Sequence, residues 1–591
     1  MTAQDRGDGK PARGNLVPFV CLLVFGSGCT ALVYQTVWLR QFRLIFGAST
    51  AANAAVISIF MVGLGLGALI LGRRVDRHSS PLRFYAGIEV LVALSAAATP
   101  LILSGLDALY VATGGSLAMG TGLATLARLG IAVIVLGLPT FAMGGSFPAV
   151  VKAIETSADA SRRSVGLAYG MNTLGAVAGV ALATFFLIEQ LGNRWSLFLA
   201  VALNLVVAVV ALRLARRAGR LAPHASPEIS EDLARVSTES AVSSRFVLGA
   251  ACSVGFVFFL MEIVWYRLLS PLLGGTSFAF GLILAVALAG IGTGGLGYAF
   301  RRRERVPTLG GFAIVCGLEA LLLAFPIALG DRIAVLAWLF RSSAESFAGQ
   351  ILGWIVVCVL VVFPVAVIAG FQFPMLIGLL GRGRKQVGRH VGTAYAMNTA
   401  GSILGAIAGG FGVLPLIGAV AAWKIAAVIL LAVALFAMLL ARSLESRGAR
   451  PWATVVIALA AAGCLLAEGP TAGWRHSPIG AGRMNVVSPL GVEDENPEVN
   501  WIRDYLQGRR RAMVWDVDGI ESSIALGGDD AYAFIVNGKA DGNARYDAGT
   551  QVMGGLTGAL LHPDPRKALV IGLGSGSSAG WLAAVASIEK V

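Results

Sequence analysis

The sequence predicts a polytopic α-helical membrane bundle of two parallel six-helix repeats, followed by a small β-domain and the start of a Rossmann-type α/β domain. Three observations carry that prediction: a composition too apolar for a soluble protein, an internal duplication, and a closing strand–glycine-turn–helix pattern. The 591 residues are 56% hydrophobic and only 13% charged, with mean hydropathy +0.77, outside the range of soluble globular domains. The formal charge of +13 sits in short clusters between apolar runs rather than along one face. That distribution reads as membrane topology and argues against a nucleic-acid partner. The six cysteines (Cys21, Cys29, Cys252, Cys316, Cys358, Cys464) lie inside apolar segments with no C-x-x-C spacing, so neither a disulfide framework nor a metal site is indicated.

The elements follow in order. Residues 1–15 form a polar, basic tail, and the apolar run after it lacks a small-residue cleavage site, so it reads as a first span and not a removable signal. Stretches near the ~20 residues a membrane helix needs recur at 16–37, 51–72, 84–105, 126–150, 165–190 and 195–213. A polar linker at 214–245 carries Pro223 and Pro227 and marks a boundary. The pattern resumes at 246–268, 277–300, 308–329, 350–380, 392–418 and 420–441. The membrane repeats are therefore 16–213 and 246–441.

The two halves are copies. "QTVWLRQFRLIFGAST" (Gln35 to Thr50) aligns with "EIVWYRLLSPLLGGTS" (Glu262 to Ser277), and the same offset places Gly63, Gly65 and Gly67 on Gly290, Gly292 and Gly294. "RSVGLAYGMNTLGAVAG" (Arg163 to Gly179) aligns with "RHVGTAYAMNTAGSILG" (Arg389 to Gly405), which pairs Tyr169 with Tyr395 and Asn172 with Asn398. With an even number of spans in each copy, the halves point the same way and are related by an axis along the membrane normal, as in major-facilitator-type bundles.

Basic residues cluster after every second span: Arg73, Arg74, Arg77 and Arg83, then Lys152, Arg162 and Arg163, then Arg213 to Arg220, Arg301 to Arg303, and Arg382 to Lys385. By the positive-inside rule the chain is a multi-pass protein of the cell (inner) membrane with a cytoplasmic N-terminus. A thirteenth apolar run at 452–467 is short for a span. Crossing places the C-terminal region outside; lying in the interface leaves it cytoplasmic.

Within the bundle, Glu89 and Glu319 fall in the third span of each half, and Glu262 falls in the seventh span opposite its copy Gln35. Intramembrane carboxylates are costly and are functional candidates by default, the alternative being interhelical hydrogen bonding. The glycine pairs Gly63/Gly67 and Gly175/Gly179 have the spacing of close helix packing. Trp38/Arg40 and Trp265/Arg267 end their spans and read as interface anchors.

After Glu468 the composition turns soluble. Residues 470–545 read as a β-rich segment with strand-like runs "SSIALGG" and "YAFIVNGKADG", the second holding an Asn-Gly turn signal. Residues 546–591 read as a helix, then "PDPRK", then a strand, then Gly572, Gly574 and Gly576 leading into a helix whose N–H groups can face a nucleotide.

The stretch "FIVNGKADGNARYDAGTQVMGGLTGALLHPDPRKALVIGLGSGSSAGWLAAV" resembles the spermidine synthase (polyamine aminopropyltransferase) family in its membrane-fused major-facilitator form, over roughly Gly519 to Val591. The ordered set of "D…Q", "HP-x-P" and the glycine loop carries the resemblance. It implies a methyltransferase-like Rossmann fold and aminopropyl transfer from decarboxylated S-adenosylmethionine, as co-substrate, to a small amine. It also implies a nucleoside loop at Gly572, Gly574, Ser575 and Gly576, and a donor and amine site at Gln551 and Asp547. Ser575 stands where the family usually carries an Asp that binds the amine, Thr550 where an aromatic residue precedes the Gln, and Glu521 where a donor-site Gln is common. The ribose-gripping acid of such a unit lies about 20 residues past the first glycine, so the catalytic Asp is expected beyond Val591, with the chain read as truncated and inactive by itself.

Three functions stay open at this stage: a membrane-bound aminopropyltransferase, a transporter of a polyamine or related solute using Glu89, Glu262 or Glu319, and a nucleoside-binding sensor. The lipid bilayer is the one partner the sequence itself requires.

Overall fold

The computed structural model describes residues 16–46, 50–155, 159, 161–220, 242–275, 277–301, 306–342, 346–381, 386–444, 451–467, 499–528 and 531–591. The N-terminal tail, most of the polar linker and residues 470–498 lie outside the described residues.

The first half comprises α1 (Val17–Phe46), α2 (Thr50–Val75), α3 (Pro81–Ala112), α4 (Gly115–Ile154), α5 (Arg163–Leu182) and α6 (Ile188–Arg220). The second comprises α7 (Ser244–Leu269), α8 (Ser277–Phe300), α9 (Leu309–Leu329), α10 (Arg332–Ser342), α11 (Phe347–Val361), α12 (Phe363–Leu380), α13 (Val387–Ile407) and α14 (Ala419–Leu444). Among the described residues, eleven helices are long and apolar enough to cross a membrane. One of these, the 56-residue run Arg163–Ala218, breaks at Gly192 (φ 69°, ψ 175°) and doubles back. The reversal is fixed by two contacts: Gly179 packs on the Cys29 carbonyl, while Asn204 meets the neighbouring Thr30. Residues so far apart on one straight helix could not reach one level of α1. The tenth pass, expected as one span, is α11 and α12 abutting at Val362, where Pro364 removes a backbone donor.

The halves pack through the same contacts. The position of a Gly28 side chain is taken by the Asn172 carbonyl, and that of Gly255 by the Asn398 carbonyl. Gly67 abuts the Phe141 carbonyl as Gly294 abuts that of Val367. Gly65 and Gly292 instead face across the axis, toward Thr399 and toward Leu174. Small residues let these backbones approach to contact, which is how helices associate where no hydrophobic gain is available. Trp38 and Trp265 correct the anchor reading: both are buried, and Trp38 Nε1 donates to Thr99 Oγ1. Their indoles face the bundle because the ends of α1 and α7 are covered by neighbouring helices.

The thirteenth run is α15 (Pro451–Leu466). It packs along α9 at mid-depth, with Ile457 against Gly317, and so returns the chain to the end of the bundle where α14 begins. There follow α16 (Val499–Arg511) and an antiparallel sheet in the order β1 (Met513–Asp518), β2 (Ser523–Gly527), β3 (Ala533–Val536) and β4 (Lys539–Asn543). Asn537 (φ 48°) and Gly538 (φ 76°) make the tight β3–β4 turn. Next come α17 (Ala548–Leu561) and α18 (Ser577–Ala583).

The expected Rossmann sheet is not formed. Residues 568–571 are irregular, and a single parallel bridge joins Lys567 to Lys590. A strand needs neighbours for its backbone groups, and one bridge is too little. The glycine turn is present, with positive φ at Gly572, Gly574 and Gly576.

Candidate functional site

The sheet docks on one end of the bundle, called here the sheet end; the other is the far end. Between the halves lies a cavity of about 660 Å³. Its lining is built from copy-related pairs: Gln35 with Glu262, Tyr169 with Tyr395, Asn172 with Asn398, Thr173 with Thr399, and Phe147 with Phe373. The cavity therefore lies on the repeat axis. Only one of the five pairs is unlike in charge, and it places the Glu262 carboxyl on the wall.

Four rings make the cavity floor. Tyr169 and Phe373 have centroids 4.8 Å apart; Phe147 lies 6.0 Å from Tyr169 and 6.4 Å from Phe373, and Tyr395 lies 6.1 Å from both Phe373 and Phe147. These are favourable tilted and edge arrangements. Below them, polar contacts seal the far end. Arg162, fully buried, donates to the Glu155 carboxylate at 2.7 Å and to the Gly381 carbonyl at 3.1 Å, which joins the two halves. Burial pushes the Glu155 carboxyl up from its usual value, and Arg162 and a hydrogen bond from Ser164 oppose that rise. Asp76 accepts from Lys152 at 2.9 Å and from the backbone N–H groups of Gly388 and Arg389 at the start of α13. Tyr298 donates to the Ser161 carbonyl at 2.8 Å. None of Asp76, Glu155 or Gly381 stood out in the sequence, because the partners of Asp76 and Arg162 across the axis are separated by hundreds of residues.

The three intramembrane glutamates have different settings. Glu262 lines the cavity. Glu89 is buried one layer behind it: its Oε1 accepts from Ser27 Oγ (2.9 Å) and Ser146 Oγ (2.8 Å), and both serines line the cavity. Glu319 accepts from Gln372 and does not reach the cavity; it is held as a buried interhelical hydrogen bond.

The C-terminal candidates also come together. Gln551 Oε1 accepts from Ser575 Oγ at 2.5 Å, and the Gln551 carbonyl accepts from Ser578 Oγ at 2.7 Å. Gln551, Gly572, Gly574, Ser575, Asp541 and His562 line an open cleft of about 910 Å³. Asp547 stands outside that lining; its carboxylate accepts from the Asn543 N–H and fixes the turn before α17. Gly576 caps the N-terminus of α18. Glu521 does not join this group and instead lines the mouth of the membrane cavity. Among the described residues there is no cluster of His, Cys, Asp and Glu suited to a metal ion.

No known family description matches the chain, and no curated protein matches it either, so the resemblance to aminopropyltransferases finds no support there. Solved structures similar to it include the following three. The human organic anion transporter MFSD10 is 17% identical, with 72% of this chain and all of that chain covered at a TM-score of 0.42. A bacterial homologue of the iron transporter ferroportin in an outward-facing state is 17% identical, over 73% of this chain and all of that one, at 0.45. The E. coli fucose:proton symporter FucP is 13% identical, over 73% and 99%, at 0.44.

Proposed function

We propose that the chain is a transporter-type membrane protein that passes a small organic cation, an amine, through the central cavity. The observation that carries this reading is the cavity itself: a mainly apolar, aromatic-lined space with a few polar groups on the repeat axis, sealed at one end by contacts that join the two halves. Such a seal is what rocking of one half against the other would make and break. The wall chemistry suits an ammonium group, since Glu262 supplies a counter-charge and Tyr169, Tyr395 and Phe147 place aromatic rings in the lining. The basic loops then put the far end in the cytoplasm and the sheet domain outside. In proteoliposomes, Glu262→Gln should lower putrescine uptake about tenfold or more, as expected for removing a charged partner in a desolvated site, with reconstitution unchanged. Unchanged uptake would remove the amine from this reading.

A second reading rests on the Gln551–Ser575 contact beside the glycine turn, which gathers the residues the aminopropyltransferase resemblance assigns to a nucleoside. On that reading the cleft takes the adenosine part of decarboxylated S-adenosylmethionine or of its product methylthioadenosine. Calorimetry with methylthioadenosine tests it: heat that disappears in Gln551→Ala supports it, and no heat in the parent protein sinks it.

A further inference from the structure

The mouth of the cavity is not built from membrane helices alone. Arg43, Arg267 and Ser270 contribute to it from the bundle, while Glu521 in the β1–β2 turn and Asn537 in the β3–β4 turn contribute from the sheet. The turn is held there by a specific dock. Arg267, at the end of α7, donates Nη1 to the Gly519 carbonyl at 2.9 Å and Nη2 to the Ile520 carbonyl at 2.8 Å. Asp518 Oδ2 accepts from the Ala419 N–H at 2.8 Å, satisfying an orphan donor at the start of α14, and Oδ1 accepts from Ser523. Arg267 and Asp518 are both buried.

The duplication shows that this dock is an addition to the bundle. The first-half copy of Arg267 is Arg40, which is exposed. The same sequence position thus ends α1 in an exposed guanidinium and ends α7 in a fork gripping two carbonyls of another domain. The docking donors, Arg267 and Ala419, both belong to the second half. A turn fastened to that half, yet reaching a mouth that the first half also lines through Arg43, will be displaced when the halves rock.

Resting on the transport reading above, we infer that the sheet domain is the outer gate of the cavity. The β1–β2 turn covers the mouth while Arg267 and Asp518 hold it, leaves when that dock opens, and presents the Glu521 carboxylate to a cationic solute as it enters. Selection of organic cations over anions rests on the Glu262 carboxylate on the wall, and Glu521 adds to it by offsetting the charge of Arg43 and Arg267 at the mouth.

The test reads access rather than flux. In a variant with all six native cysteines replaced, Glu262→Cys is placed on the cavity wall, the protein is set in lipid nanodiscs, and its modification by a small ammonium-bearing methanethiosulfonate is timed. Arg267→Ala should speed modification by about tenfold or more, because it removes two charge-assisted hydrogen bonds, and Arg267→Lys should fall between. Ala419→Pro removes the N–H that Asp518 accepts at a position where helices tolerate proline; it changes no cavity side chain and should act in the same direction. Glu521→Gln should reduce the ratio of cationic to anionic reagent rates severalfold. An unchanged rate in Arg267→Ala and Ala419→Pro overturns the gate, whatever the flux. An unchanged charge ratio in Glu521→Gln overturns the selectivity. Absence of putrescine uptake, by contrast, would count against the transport reading and leave the access result standing.

Discussion

Glu89 shows what a buried carboxylate costs and how it is kept. Its Oε1 has two serine donors, its carbonyl accepts from Asn204 Nδ2 at 2.8 Å, and Asn204 Oδ1 in turn accepts from Thr30 Oγ1 at 2.6 Å. Four helices are tied at this one residue and its partner Asn204. Removing a donor leaves a buried acceptor short of a partner, a loss of about 1–3 kcal/mol. Ser146→Ala should therefore lower the unfolding temperature in detergent, and the effect should shrink in a Glu89→Gln background, where the acceptor is neutral; equal losses in both backgrounds would show that Ser146 acts elsewhere. The glutamate was legible in the sequence because a carboxylate in an apolar run is conspicuous. Its partners were not, since Ser27 and Ser146 lie 62 and 57 residues away and serine is ordinary in a membrane helix. Arg267 was misplaced for the same reason: its partners are two backbone carbonyls 252 and 253 residues on, and nothing in "VWYR" announces them.

At the scale of elements, the glycine rows decide how close the helices come. A Cβ on Gly67 would lie 1.9 Å from the Phe141 carbonyl oxygen, and one on Gly294 would lie 1.9 Å from that of Val367, whereas Gly130 has open space. Backbone cannot give way as a flexible side chain can, so α2 and α4 must separate to admit a methyl group. Gly67→Ala should cut the yield of monodisperse protein sharply while Gly130→Ala leaves it unchanged; equal yields would mean the α2–α4 contact is looser than its geometry. Apolar length and spaced identities made the long passes readable. Other elements were missed: α10 was absent from the reading, α16 has apolar residues at helical spacing (Ile502, Tyr505, Leu506) but stands after a polar stretch and just before β1, and the run at 568–571 looks like a strand but finds one bridge. Strand propensity needs an adjacent edge before it becomes a strand.

For the whole molecule, the far-end seal and the sheet-end dock are opposed devices, and the cavity lies between them. At the centre of the seal lies the fully buried Arg162. Arg162 bridges Glu155 of its own half to Gly381 of the other, so its loss both unfastens the halves and leaves Glu155 buried without its counter-charge. Breaking a buried pair from one side costs about 3–5 kcal/mol, and a penalty that falls on one conformation shifts the population toward the other. Arg162→Ala should therefore open the far end, seen as faster modification of Glu262→Cys by reagent supplied only from that side of a proteoliposome. Acid should reverse part of the effect. Burial already raises the Glu155 carboxyl from its usual value, and without Arg162 it rises further. As pH falls through that raised value Glu155 becomes neutral, the unpaired charge disappears, and the closed seal regains some of its stability. Far-side modification of the variant, corrected for the reagent's own pH dependence, should thus slow as pH drops from 8 to 5, while the parent protein changes little. A variant whose far-side rate matches the parent at every pH would show that Asp76, Lys152 and the start of α13 hold the seal without Arg162.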